Sequence, residues 1–106
     1  MSESKRHKQL KRRAAGSSGR TEVPLQGGGR LDAATKRRAT EVELSGNFPA
    51  AASRLRRSGL NQKVLQVPQQ DMPKARAAMR AAGVGGTVKN LSGTRRSSVL
   101  RRRRRP

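Results

Sequence analysis

GRLDAATKRRATEVEL, residues 29–44, carries three of the six acidic residues of a 106-residue chain whose formal charge is +20. Pairing RLDAAT with RRATEVEL as two strands about Lys36-Arg37 sets Asp32 opposite Glu41 and Leu31 opposite Val42. Side chains alternate along a strand, so one face collects Leu31, Ala33, Thr40, Val42 and Leu44, and the other collects Asp32, Glu41 and Glu43. Lys-Arg lacks the positive-φ residues of a two-residue hairpin turn, but a four-residue loop about the same centre keeps the pairing. Like charges opposed across a ladder repel, and the acidic face gains no core packing in exchange. A bound cation would relieve the repulsion. Carboxylates without His or Cys are hard oxygen ligands suited to Mg²⁺ or Mn²⁺. The alternative on the same residues is a solvated sheet face with Asp32, Glu41 and Glu43 salt-bridged to Arg30, Arg37 and Arg38.

Outward from this hairpin the punctuation places the other elements. Residues 3–15 are good helix formers stopped by Gly16, with His7, Leu10 and Ala14 on one side. TEVPL reads as an edge strand and QGGG, residues 26–29, as a turn. NFPAAASRLRRSG has Asn47 near the N-cap, Pro49 in the first turn and Gly59 past the end. Its Phe48, Ala51, Ala52 and Leu55 fall at helical spacing. KVLQVPQ reads as a strand, and Asp71 as the cap of a helix whose Met72, Ala75, Met79 and Ala82 share a face. GTVKNL is a last strand. The expected fold class is α/β, a small mixed sheet flanked by helices in the order helix, three strands, helix, strand, helix, strand. The expected organisation is a basic N-terminal helix or arm over 1–20, a core over 21–94 and a basic disordered tail over 95–106.

Charge narrows the partner. Lys and Arg supply 26 residues, seven of them within 1–20 and seven within 95–106, and the body between still has twelve basic against five acidic groups. Such a field binds polyanions, with a log-log salt slope of about −0.9 per neutralised phosphate. Phe48 is the one aromatic residue, so base stacking of single strands is disfavoured, and backbone contact to duplex or branched DNA fits better, with RNA as the alternative. The cations expected to hold that backbone are Lys5, Arg6, Lys8, Lys11, Arg12 and Arg13 of the first helix, Arg54 and Arg57 of the second, and Arg95 and Arg96 of the tail. The Arg runs lack a bulky apolar face and no apolar run follows the basic N-terminus, so no membrane partner and no secretory signal are expected. The absence of Cys suits a reducing, cytoplasmic setting, nucleoid-associated if the ligand is DNA. A core this rich in Ala favours completion by a partner or a homodimer.

At Asp32 and Glu41-Val42-Glu43 the chain resembles the PD-(D/E)XK, or restriction-endonuclease-like, nuclease superfamily, which includes archaeal Holliday junction resolvases. That family's signature is an acid on one hairpin strand and acid-x-Lys on the next, often with a Glu on a preceding helix. The resemblance covers about residues 3–91 and implies a metal-dependent endonuclease with Asp32 and Glu41 as metal ligands and Glu43 in the second segment. It also implies a helix acid at Glu3, a position that alternatively is a first-turn acid favoured by the helix dipole. The chain departs from the pattern in having no Pro before Asp32 and Glu43 where the lysine stands; Lys63 is a candidate for a migrated lysine. Two functions follow: metal-dependent phosphodiester hydrolysis on DNA, structure-selective in the manner of resolvases, or binding of nucleic acid without catalysis by a degenerate nuclease, an architectural or a ribosome-associated protein.

Overall fold

The computed structural model describes residues 4–16, 19–25 and 29–100. Along the chain these form α1 (Lys5–Ala15), β1 (Arg20–Pro24), β2 (Arg30–Ala34), β3 (Arg38–Val42), α2 (Phe48–Arg57), β4 (Gln62–Gln66), α3 (Met72–Ala81), β5 (Gly86–Lys89) and β6 (Arg96–Val99). The helices begin and end where local chemistry permits. The Ser4 hydroxyl accepts from the His7 N–H at 3.1 Å, and Asn47 accepts from the Ala50 N–H at 3.4 Å ahead of Pro49, each satisfying a first-turn donor that has no partner inside the helix. Asp71 occupies the N-cap of α3 but makes no side-chain cap bond. Its backbone is already helical, φ −95° and ψ −2°, because a 3-10 turn over Gln69–Asp71 leads into the helix.

All six strands join one mixed sheet in chain order. β1, β2 and β3 form an antiparallel meander, β3, β4 and β5 run parallel through the α2 and α3 crossovers, and β6 returns antiparallel to β5. The expected order of elements is observed, with β6 added at the end. The core body does not stop at residue 94: β6 pairs with β5 over its whole length and buries Val99. Nor is the first helix a separate arm, since it packs on β1, β2 and β3 and buries Leu10 and Ala15. Residues 101–106, Glu3 and most of the 26–29 turn lie outside the described residues.

The main core lies between the sheet and the α2–α3 pair. Phe48, Ala51, Ala52 and Leu55 of α2 and Ala75 and Met79 of α3 meet Leu31, Ala39, Leu65, Val67 and Val88, the helix residues at the spacing their sequence suggests. Burying a Leu such as Leu55 or Leu65 is worth roughly 1.5–3 kcal/mol, so a core built largely on Ala and Val depends on its few large side chains. On the opposite face α1 covers β1, β2 and β3, where Ala33, Thr40 and Val42 are buried outside that cluster. β4, β5 and β6 have no helix on that face among the described residues.

Gly86 shows how closely β4 and β5 approach. Its φ is +154°, and a Cβ there would stand 2.2 Å from the Lys63 carbonyl oxygen. Gly93 also has positive φ, +76°, but faces open space. Gly93→Ala is expected to cost about 1–2 kcal/mol through backbone strain alone. Gly86→Ala adds a backbone clash and should cost roughly twice that or more. Urea unfolding of the two variants beside the wild type measures the difference.

Candidate functional site

The hairpin takes the register expected of it for two rungs, Ala34 opposite Ala39 and Ala33 opposite Thr40. Lys36 and Arg37 close it without positive φ. The Thr35 hydroxyl makes this possible by accepting from the Arg37 and Arg38 N–H groups at 3.4 and 3.1 Å.

At the next rung the ladder changes character. The Asp32 N–H donates to Glu41 Oε2 at 2.8 Å, and the Val42 N–H donates to Asp32 Oδ2 at 2.8 Å. Each carboxylate therefore accepts a backbone donor from the other strand, and the two side chains fill the fork where the β2–β3 ladder ends while β3 stays paired with β4. The expected sorting of faces fails here. Leu31 shares the α2–α3 core with Ala39, while Asp32 meets His7 and Lys11 of α1. The alternation of β2 breaks between Asp32 and Ala33. β1 breaks with it: Thr21 pairs with Ala33 and Val23 with Leu31, but Glu22 between them has φ +54°, a left-handed conformation that costs a non-glycine residue about 1–2 kcal/mol.

Five elements supply charges to this fork. Lys11, 3% exposed, reaches Asp32 Oδ1 at 3.3 Å and pairs with Glu22; His7 Nε2 is 3.4 Å from Asp32 Oδ2. Arg54 Nε, from α2, bonds Glu41 Oε1. Glu41 is fully buried. Burial, followed by the neighbouring Asp32 charge, pushes its pKa from 4.5 to about 8, against the lowering effect of Arg54. The Asp32 side chain beside it also favours the protonated form, and the exchange of backbone N–H bonds draws both carboxyls into one fork.

The other candidates fall elsewhere. Glu43, mostly buried, accepts from the Ser45 hydroxyl at 2.6 Å. Lys63 donates to the Leu60 carbonyl at 2.6 Å, so the cation on Glu41 is Arg54. Arg30, Arg37 and Arg38, expected as salt-bridge partners of the acids, are replaced in that role by Lys11 and Arg54, which the charge pattern had suggested for phosphate. Lys5, Arg6, Lys8, Arg12 and Arg13 line the exposed side of α1, and Arg57, Arg95 and Arg96 are exposed as well. Local sequence held no signal for Lys11 turning inward, because its partners Glu22 and Asp32 come from two other strands.

Among the described residues no group of three or more His, Cys, Asp or Glu is placed to hold a metal ion, and no helix is long and apolar enough to cross a membrane. Compared with known protein families, with characterised proteins and with solved structures, the chain matches none.

The raised Glu41 pKa fixes the sign of a pH effect. Between pH 4.5 and about 8 the unfolded chain gives up this proton while the folded protein keeps it, so the native state binds more protons and its stability falls as the pH rises through that window. Thermal unfolding of the wild type and Glu41→Gln across pH 5–9 should show the wild type losing stability relative to the variant toward the alkaline end. A constant difference between the two curves would mean that Glu41 titrates normally.

Proposed function

We propose that the protein hydrolyses phosphodiester bonds in DNA at the Asp32–Glu41 fork, with Mg²⁺ or Mn²⁺ as its cofactor. The observation that carries this reading is the convergence of two carboxyls in a buried fork, where the Glu41 pKa is raised to about 8. That shift, caused first by burial and then by the Asp32 charge, marks a carboxyl held where its charged form is disfavoured, and perturbed acids of this kind concentrate at reactive sites. The donor chemistry fits the ion: Mg²⁺ is commonly bound by one or two carboxylates, completed by substrate phosphate and water. Asp32 and Glu41 would hold it, and when bound it would supply a more acidic water and charge neutralisation at the phosphate.

The chain's own groups have defined parts in this reading. Lys11 and Arg54 fix the orientation of the two acids from opposite faces of the sheet. Arg54 is the cation on Glu41, while Glu43 stands at the lysine position of the resembled nucleases. A guanidinium does not release its proton near neutral pH, so Arg54 is suited to orient groups and attract phosphate and not to act as a base. The restriction-endonuclease-like core is supported by the element order and by the meander followed by a parallel strand.

One observation favours the second reading, nucleic-acid binding without cleavage. Every oxygen of Asp32 and Glu41 already accepts from a donor: Lys11, Val42 N–H and His7 on Asp32, Arg54 and Asp32 N–H on Glu41. Linear and four-way-branched DNA, incubated with the protein in Mg²⁺ or Mn²⁺, separate the two. The expected result is metal-dependent cleavage by the wild type that falls at least about a hundredfold in Asp32→Asn and in Glu41→Gln, with DNA binding retained in both. Wild-type protein that binds without cutting would establish the second reading.

A further inference from the structure

The uncovered face of β4, β5 and β6 carries a second concentration of charge, of the opposite sign to the fork. A cavity of about 400 Å³ opens there, walled by Arg38 of β3, Gln62 of β4, Gly86, Thr87 and Lys89 of β5 and Arg96 of β6. Register places these groups on one face. Arg38 lies beside Gln62, Val64 beside Thr87, and Lys89 directly opposite Arg96, while Leu65 and Val88, one step along, belong to the α2–α3 core.

Lys89 and Arg96 are like charges opposed across an antiparallel ladder, an arrangement that destabilises a sheet unless something offsets it. No Asp or Glu is among the cavity's described walls. Burial, then the charges of Arg96 and Arg38, hold the Lys89 pKa below its ordinary value. The Arg38 guanidinium is oriented by its Nε donating to Gln62 Oε1 at 3.2 Å.

We propose that this cavity is a docking site for phosphate groups of a nucleic-acid backbone, separate from the carboxylate fork and formed by Arg38, Lys89 and Arg96. It rests on the reading of the ligand as nucleic acid and adds where that ligand is gripped away from the acids. Three cations in a concave, acid-free surface match the spaced single charges of a phosphodiester chain. The planar fork of an arginine adds two-point recognition of a phosphate that an isolated surface lysine does not provide.

The test measures binding of a fluorescent 20-base-pair DNA duplex in EDTA over a salt series, so that hydrolysis plays no part. Arg38→Gln/Lys89→Gln is compared with Lys74→Gln/Arg80→Gln, which removes the same charge from exposed positions on α3. The expected result is at least about a tenfold loss of affinity in the cavity variant and a salt slope shallower by about two, against a loss of under about threefold in the α3 variant. Lys89→Gln alone should keep or raise the melting temperature, because it removes a like-charge pair, so lost binding is not lost folding. Equal losses in the two double variants, or no loss in either, overturn the docking site while leaving the fork reading intact. A wild type that binds neither this duplex nor an RNA duplex of the same length overturns the nucleic-acid reading itself and the proposal with it. Stabilisation of that wild type by millimolar pyrophosphate, absent in the cavity variant, would then reassign the cavity to small phosphates.

Discussion

The exchange of hydrogen bonds between Asp32 and Glu41 is the constraint on which the centre of this protein depends. At that rung two carboxylates take the place of backbone acceptors, each accepting an N–H from the facing strand. The substitution lets β3 part from β2 without leaving buried donors unpaired, which would cost about 1–3 kcal/mol each. β3 meanwhile holds its parallel register with β4 through Val42, two residues past its last ladder pair with β2.

The cost of that solution is electrostatic, and it shapes the surroundings. Two acids in a buried fork need compensating charge, which arrives from both layers of helix: Lys11 from α1 and Arg54 from α2. The first helix, which reads in isolation as a polycation for external ligands, is thereby tied into the fold by an inward-facing lysine. The left-handed Glu22 belongs to the same arrangement, since it brings a further carboxylate onto Lys11. Burial, and after it the Asp32 charge, still outweighs Arg54 and holds the Glu41 pKa at about 8.

The two charged sites divide the sheet between them. The fork lies toward β1, β2 and β3, where helices cover both faces. The cationic cavity lies toward β4, β5 and β6, where one face has no helix among the described residues. The two acids of the fork are thus enclosed and paired, whereas Arg38 and Arg96 are exposed. Segregation of this kind keeps the outer field of the molecule positive despite the acids in its interior.

By itself the sequence determined the element order, the helical stripe of Phe48, Ala51, Ala52 and Leu55, and the pairing of the hairpin about Lys36-Arg37. These follow from periodicities and turn chemistry that act within a few residues. The nearness of Asp32 to Glu41 was legible for the same reason, but not their contact through backbone N–H groups in place of a ladder pair on one face. Tertiary structure alone decided which cation meets which acid, where the strand alternation breaks, and that Arg96 begins a strand and not a tail. Each of those outcomes depends on groups far apart in the chain: Lys11 with Asp32, Glu41 with Arg54, Lys89 with Arg96. Their choice of partner is set by burial and by the layering of helices on the sheet, and no local pattern of residues encodes it.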